Sequence, residues 1–188
     1  MQQRNYQREM DALIASLETR PRLLLHSCCG PCSSACLERL APHFDIDVFF
    51  YNPNILPAEE WEKRLFWQKH LLETAQFGKN VGLIVPERDE AAFRLAAAGL
   101  ESEPEGGARC TECFVLRLSR TAEAAREGGY DYFATTLTVS PHKNAPLINA
   151  IGEKLAGEYG VFWLPSDFKK RDGYRRSIEL SHEYGLYR

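Results

Sequence analysis

Hydrophobic and polar positions follow two alternating patterns along this chain. Short apolar runs, such as RLLLH at 22–26, predict buried strands. Longer segments with apolar residues every three or four positions predict amphipathic helices. Strands are predicted at 22–26, 44–51, 81–85, 130–136 and 161–164, and helices at 6–19, 31–40, 57–77, 88–98, 110–127, 144–158 and 173–184.

The order of these elements predicts the fold class. Strands that alternate with helices favour an α/β fold, in which helices cover both faces of a parallel sheet. No long linker, repeat or low-complexity tract interrupts the pattern, so we expect a single domain over residues 1–188. In such a sheet, ligands bind in the crevice beyond the carboxyl ends of the strands.

The loops after four predicted strands are rich in residues that can bind ligands or carry out chemistry. They read HSCCGPC, YNPNILP, TTLTVSPHKN and PSDFKKRDGY, after the first, second, fourth and fifth strands. Because the carboxyl ends of parallel strands share one edge, we expect these loops to converge there. A functional site is therefore predicted at that edge.

Composition narrows the class of protein. The chain has 188 residues, 44% of them hydrophobic, a formal net charge of −3 and six cysteines. The N-terminal segment lacks an apolar core of signal-peptide length, and no window approaches the roughly 20 apolar residues of a membrane span. We therefore expect a soluble cytoplasmic protein with no membrane partner. In a reducing compartment, cysteines are more often metal ligands or redox catalysts than disulfides.

Five cysteines fall into two short motifs. Cys28, Cys29 and Cys32 form C-C-x2-C, and Cys110 and Cys113 form C-x2-C. A helical turn places residues three apart on one side, so each motif can direct thiolates to one centre. Together they suit zinc or an iron–sulfur cluster, although adjacent cysteines are unusual in a zinc site. From spacing alone an iron–sulfur site, structural zinc and a dithiol catalyst all stay open.

The sequence supports the other candidate ligands to different degrees. Cys32 is open between metal ligand and redox partner, because a helix N-terminus lowers the pKa of a thiol. Cys36 is expected in the core as a small hydrophobic residue. His26 and His142 are more typical of core and loop histidines than of ligands. Asp167, in the loop after the last strand, is the best non-cysteine ligand or proton donor.

A basic stretch follows the last predicted strand. Residues 163–176 carry five cations and two acids, which predicts either a solvated helix start or a phosphate-binding surface, with both open. The whole-molecule charge does not by itself indicate a nucleic-acid binder. The five cations are Lys169, Lys170, Arg171, Arg175 and Arg176.

The assembled motifs resemble a known family. HSCCGPCS, YNPNI, ARCTECFVLRLSRTA, YDYFATTLTVSPHKN and SDFKKRDGYRRS, in this order, are similar to the QueH-type epoxyqueuosine reductases over about 23–188. The resemblance implies the last step of queuosine synthesis: removal of the epoxide oxygen from epoxyqueuosine at the wobble position of tRNA, with an external electron donor. It also implies a nucleotide-hydrolase-like three-layer sandwich related to PP-loop enzymes.

The resemblance further implies cofactors and roles. A 4Fe-4S cluster is expected on Cys28, Cys29, Cys110 and Cys113, with a neighbouring mononuclear metal, iron, bound by Asp167; Cys32 matches the family's third cysteine. His142 or Lys143 is the expected acid for the departing oxygen. The residues expected to bind tRNA are Tyr51, Asn52, Phe168, Lys169, Lys170, Arg171, Tyr174, Arg175 and Arg176.

Two other functions remain as alternatives. One is a zinc-stabilised RNA-binding module in which the cysteines are structural. The other is a thiol/disulfide oxidoreductase acting through Cys29 and Cys32, which form a C-x2-C step of their own. The second alternative leaves Cys110 and Cys113 without a role. Metal content separates the three: iron with sulfide, zinc, or no metal.

Overall fold

The computed structural model describes residues 4–188, so the first three residues of the predicted domain lie outside the description. Within it the strands are β1 (Arg22–His26), β2 (Asp45–Phe49), β3 (Gly82–Ile84), β4 (Tyr132–Thr135) and β5 (Phe162–Trp163). The helices are α1 (Tyr6–Ala15), α2 (Gly30–Leu40), α3 (Ala58–Thr74), α4 (Glu90–Ala96), α5 (Ala108–Glu127), α6 (Ala145–Tyr159) and α7 (Gly173–Glu183). Short 3-10 turns lie at Gln76–Gly78 and Thr136–Val139.

The five strands form one parallel sheet in the order β3-β2-β1-β4-β5. The predicted α/β class is therefore confirmed. At the carboxyl end of β1, His26 is in register with Phe49 on one side and Thr135 on the other. From β1 the chain adds β2 and β3 on one side of the sheet and then β4 and β5 on the other. The point at which the strand order reverses therefore lies beside β1, and ligands bind at this point in such sheets.

Alternate residues of the central strands pack on opposite faces, as the two-residue period of a strand requires. Leu23 and Leu25 pack with α2 residues such as Leu37, whereas Leu24 packs with α5 residues such as Leu118. One core includes side chains of α1, α2 and α3, and the other includes side chains of α5 and α6. The predicted three-layer arrangement is confirmed; kinship with PP-loop enzymes stays a prediction.

Several predicted boundaries differ from the observed ones. Helix α1 ends at Ala15 rather than 19, where the Ser16 hydroxyl donates to the Leu13 carbonyl and closes the last turn. Strand β5 has two residues because it pairs only with β4, and Pro165 soon follows and has no N–H to donate. Helix α5 begins at Ala108, two residues before the prediction.

Between residues 4 and 188, no helix combines the length and the apolar character that crossing a lipid bilayer requires.

Candidate metal site and adjoining cleft

The first cysteine motif lies where β1 passes into α2. Cys29 is the extended N-cap residue of α2, and Cys32 is in the helix's first turn. The sulfur atoms of Cys28, Cys29 and Cys32 lie within 4.8 Å of one another, and all three side chains are half-buried. We call these three residues the cysteine triad. It is the only group of three such ligands this close together among residues 4–188.

Buried polar side chains hold the triad's loop in place. The Ser27 and Ser33 hydroxyls each lie 2.7 Å from Gln68 Oε1, and the Ser33 hydroxyl also lies 2.9 Å from the Cys29 carbonyl oxygen. The Asn52 amide donates to the Ser27 carbonyl at 2.8 Å. Buried hydrogen-bond networks of this kind favour one loop conformation, although the Gln68 Nε2 group has no partner among residues 4–188. The triad therefore lies in a preorganised loop.

Close packing of α2 against α3 adds to this constraint. A Cβ atom built on Gly30 would lie 2.7 Å from the backbone oxygen of Trp67, closer than real Cβ contacts. Only glycine allows this approach, since it has no side chain. The start of α2 is thus held against α3 by backbone contact.

The three triad thiols do not titrate alike. Hydrogen bonds from the Cys29 and Cys32 thiols, with help from the positive charge of Arg117, hold the pKa of Cys28 well below its ordinary value. The Cys28 thiolate and burial raise the pKa of both Cys29 and Cys32. Ionisation of the triad is therefore favoured at Cys28 over Cys29 and Cys32, and binding of a metal to all three sulfurs would release protons.

The second cysteine motif lies in the first turns of α5. Cys110 is the third residue of the helix, and Cys113 lies three positions further, so both are on one side. The Gly106 N–H donates to the Cys110 sulfur at 3.3 Å. Both side chains are half-buried, and neither sulfur belongs to the triad's 4.8 Å group. Each motif thus lies at the start of a helix.

A cleft of about 520 Å³ adjoins Cys110 and Cys113. Its volume is in the range of small-molecule sites. The Asn54 side-chain oxygen, which borders this cleft, is buried and has no hydrogen-bond partner in the described part of the chain. The apolar lining is Leu56, Phe93, Ala97 and Phe114, and the polar lining includes Asn54, Glu101, Arg109, Arg117 and Lys143. We call it the α5 cleft.

Sequence reasoning missed Arg117. This side chain is 4% exposed, lines the α5 cleft and lies one helical turn beyond Cys113. It donates to Asn52 Oδ1 at 3.0 Å and approaches the Cys113 sulfur at 3.8 Å. The available signal was its position four residues after Cys113, on the same helical face. Nothing in the sequence alone distinguishes that arginine from a solvated one.

His26 is a core residue, as its sequence context favoured. Its Nδ1 lies 2.9 Å from the Thr135 hydroxyl and its Nε2 3.1 Å from the Tyr51 carbonyl oxygen. Burial, and then the charge of Arg117, lower the pKa of His26 to about 3, so the ring is neutral. It joins the ends of β1 and β4 beneath the cysteine triad. Cys36 is also in the core, as predicted.

The predicted acids occupy different places. Lys143 lines the α5 cleft, with its ammonium group 3.6 Å from a carboxylate oxygen of Glu105. His142 is exposed and is not among the residues that line that cleft. Asp167 is buried, with Lys169 at 2.6 Å and Lys170 at 3.6 Å from its carboxylate oxygens. The structure therefore puts Lys143, and not His142, beside Cys110 and Cys113.

The residues expected to bind tRNA divide into buried and exposed sets. Tyr51, Asn52 and Phe168 are each at most 3% exposed, so the structure does not offer the two rings for base stacking. Tyr174 is exposed, with the Arg188 guanidinium 5.7 Å from its ring centre. The five cations all form ion pairs: Lys169 and Lys170 with Asp167, Arg171 with Asp11, Arg175 with Asp172 and Glu179, and Arg176 with Glu38 and Glu179.

The parallel sheet, the cysteine triad and the cleft beside a second cysteine pair define an α/β protein with a thiol-rich ligand set at its carboxyl edge. The family model described as "Epoxyqueuosine reductase QueH" matches residues 23–188. The chain belongs to this family of oxidoreductases, and the resemblance inferred from the motifs is confirmed.

Individual relatives agree with this assignment. A Staphylococcus epidermidis protein named epoxyqueuosine reductase QueH is 44% identical over 191 residues, which cover 98% of this chain and 80% of the relative. The Streptococcus pyogenes protein of that name is 43% identical over 189 residues, covering 98% and 74%. The Thermotoga maritima protein of that name is 35% identical over 166 residues, covering 88% and 84%. The similarity thus extends through nearly the whole chain.

Proposed function

We propose that this chain reduces epoxyqueuosine in tRNA to queuosine, the last step of queuosine synthesis. Membership of the QueH family supports the reaction. The single structural observation that carries the proposal is the α5 cleft, a nucleoside-sized space walled by Cys110 and Cys113. A flipped or splayed wobble base could enter it, as in other enzymes that act on bases.

The proposed cofactor is a 4Fe-4S cluster with an adjacent mononuclear iron. Its proposed ligands are Cys28, Cys29, Cys110 and Cys113 for the cluster, with Asp167 and Cys32 for the iron. The donor chemistry fits, because soft thiolates suit such centres and the triad sulfurs already lie within 4.8 Å of one another. When bound, the centre would supply electrons one at a time and a Lewis acid for the epoxide oxygen.

The chain's own residues would manage the protons. Conversion of an epoxide to an alkene consumes two electrons and two protons and releases one water molecule. The Lys143 ammonium lines the cleft and can donate a proton to the departing oxygen. Glu105, with a carboxylate oxygen 3.6 Å from that ammonium, helps to position it at the cleft. We therefore favour Lys143 over the exposed His142 as the acid.

The remainder of the cleft would bind and shield the base. Leu56, Phe93 and Phe114 give it an apolar wall, which excludes water from the reacting oxygen. The buried, unpartnered oxygen of Asn54 is an acceptor available for a donor on the substrate. Arg109 lies at the same cleft and is suited to a flanking phosphate.

The tRNA backbone would meet the basic stretch. Lys170, Arg171 and Arg175 are exposed, so they can exchange their present ion pairs for phosphates, and Tyr174 can stack on an unpaired base. Because each contact replaces an existing ion pair, we expect modest but measurable salt dependence of tRNA affinity. An affinity indifferent to salt would remove this stretch from the proposed interface.

The deciding assay is anaerobic. Purified protein is incubated with epoxyqueuosine-containing tRNA and a chemical reductant, and the modified nucleoside is followed by mass spectrometry. The wild type is expected to remove one oxygen atom, and Cys110→Ser to lose this activity together with bound iron. Cys36→Ala is the matched control, since Cys36 is buried in the core and its sulfur neither belongs to the triad's 4.8 Å group nor lines the cleft; its contact with Cys32 is to the backbone carbonyl only.

Three results would contradict the proposal. An iron-loaded wild type that leaves the nucleoside unchanged would refute the reaction. A protein purified anaerobically with one zinc and no sulfide would support the RNA-binding module instead. A metal-free protein that cycles between thiols and a Cys29–Cys32 disulfide would support the oxidoreductase alternative.

A further inference from the structure

Arg117 is a buried cation for which the proposed reaction assigns no role. Only 4% of this residue is exposed, and a guanidinium stays charged in any protein environment. A buried charge is strongly unfavourable unless an opposite charge lies close by. In the described chain, the side chain of Arg117 has three polar neighbours: Asn52, His26 and Cys113. Of these, only the Cys113 thiol can become an anion.

The contacts that Arg117 makes are incomplete. Nη2 donates a good hydrogen bond to Asn52 Oδ1 at 3.0 Å. Nη1 is 3.8 Å from the Cys113 sulfur, a long contact that a thiolate would strengthen. The remaining neighbour, His26 Nε2, lies 3.4 Å from Nε.

The His26 contact does not satisfy Arg117. His26 Nε2 also lies 3.1 Å from the Tyr51 carbonyl oxygen, which can only accept, so Nε2 carries the ring's proton. Nδ1 then accepts from the Thr135 hydroxyl at 2.9 Å. A protonated Nε2 cannot accept from Arg117 Nε. Among residues 4–188, the guanidinium therefore lacks both a counter-charge and a full set of acceptors.

Arg117 is connected to both cysteine motifs. Its Nη1 lies 3.8 Å from the Cys113 sulfur on α5, and its Nη2 donates to Asn52, whose amide donates to the carbonyl of Ser27, the residue before Cys28. Thiolates of both motifs are the only negative charges that the proposed site brings to this position. A cation held here by Asn52 would be balanced when both motifs are deprotonated and bound to metal.

We propose that Arg117 is a positioning residue that balances the thiolate charge of both cysteine motifs and thereby raises the reduction potential of the metal centre they hold. Reduction adds negative charge to the centre, and a fixed cation nearby stabilises that added charge, more strongly in a poorly solvated interior. This inference rests on the proposed function, since it requires the metal centre.

The test compares charge-removing and charge-retaining variants by anaerobic redox titration of the reconstituted protein, with iron content measured in parallel. Arg117→Gln is expected to lower the ratio of reduced to oxidised centre at a fixed applied potential by about tenfold or more, which is 59 mV for one electron. Arg117→Lys keeps the charge and is expected to stay much closer to the wild type. Arg126→Gln, an exposed arginine on the same helix, is the matched control with no expected shift.

A second variant keeps Arg117 and offsets its positive charge with a carboxylate placed beside it. Asn52→Asp has nearly the shape of the native residue and places a carboxylate on Arg117 Nη2. It is expected to lower the potential in the same direction as Arg117→Gln. This variant is used if Arg117→Gln does not fold or does not retain iron, because an unchanged potential in Asn52→Asp would show that charge at this position does not act on the centre and would overturn the inference.

The outcomes separate the inference from the proposed function. Potentials lowered in Arg117→Gln and Asn52→Asp, and retained in Arg117→Lys, support it. Unchanged potentials in the two charge-removing variants overturn it while leaving epoxyqueuosine reduction intact. A potential that falls as far in Arg117→Lys as in Arg117→Gln also overturns it, because charge is then not the cause. A wild type that binds no iron under anaerobic reconstitution overturns both proposals together.

Discussion

The two cysteine-bearing helix starts differ in how firmly they are held. Cys32 of α2 and Cys110 of α5 occupy the same position, the third residue of their helices. The start of α2 is clamped by Ser33 and Gln68, whereas the start of α5 follows a loop rich in glycine and glutamate and faces the cleft. One half of the proposed centre is therefore preorganised, and the other can adjust when metal and substrate bind.

Such a division suits a site that must hold metal and admit a large substrate. A ligand loop held by hydrogen bonds from side chains behind it, here Gln68 and Asn52, can bind metal before substrate arrives. A less constrained helix start beside the cleft can shift slightly without disturbing the triad. The comparison predicts that matched changes in the two regions have unequal effects.

The largest effect is expected from changing the cysteines. Cys28→Ser should abolish iron binding, because it removes the thiolate that organises the triad. The double variant Cys110→Ser with Cys113→Ser should lose the cluster and still bind a single Co²⁺ through the preformed triad. Thiolate-to-cobalt absorption in anaerobic titrations measures this. Equal loss of Co²⁺ binding in both variants would show that the triad is not preformed.

Glycine substitutions at the two helix starts should give the next largest difference. Gly30→Ala places a methyl group against the backbone of Trp67 and should destabilise the protein by about 2–3 kcal/mol, as overpacking does. At Gly107 the nearest atom to an added Cβ belongs to the flexible Glu103 side chain, so Gly107→Ala should cost only about 0.5 kcal/mol. Urea unfolding of the metal-free proteins measures both. Similar losses of stability in Gly30→Ala and Gly107→Ala would show that the two helix starts are packed equally tightly.

The smallest difference is expected at the residues that follow Cys32 and Cys110, which are Ser33 in α2 and Thr111 in α5. Ser33→Ala removes a buried hydroxyl from the Gln68 network and should cost about 1 kcal/mol. Thr111 has the equivalent position in α5, where its hydroxyl makes only a 3.5 Å contact with Gly107. Thr111→Ala should therefore leave stability unchanged. Thermal unfolding of both variants provides the check, and a loss in Thr111→Ala as large as that in Ser33→Ala would argue against the comparison.

The fold followed closely from the sequence because buried strands and amphipathic helices leave strong periodic patterns. The run RLLLH predicted β1 with its observed bounds, Arg22–His26. The helix start at Ala108 was harder to predict, because the glycines before Cys110 also suit a loop. Strands β2, β3, β4 and β5 were all overestimated in length, since the residues at which pairing with a neighbouring strand begins and ends are not visible in a single segment.

The candidate ligands of the site could be predicted from the sequence, whereas the side chains that surround them were harder to predict. Spacing identified both cysteine motifs but left Cys32 open, and the structure brings its sulfur into the triad. Tyr51 and Asn52 looked suited to RNA, yet both are buried, with Asn52 engaged by Ser27 and Arg117. Such roles depend on tertiary contacts between residues far apart in sequence, which no local pattern encodes.

The most direct test of the account is the iron and sulfide content of anaerobically prepared wild type, read together with its Mössbauer spectrum. We predict a 4Fe-4S cluster plus one distinct mononuclear iron, with the cluster lost in the variant that lacks Cys110 and Cys113. Zinc in place of iron, or a cluster that survives without those two cysteines, would contradict the claim that the two motifs together hold the metal centre.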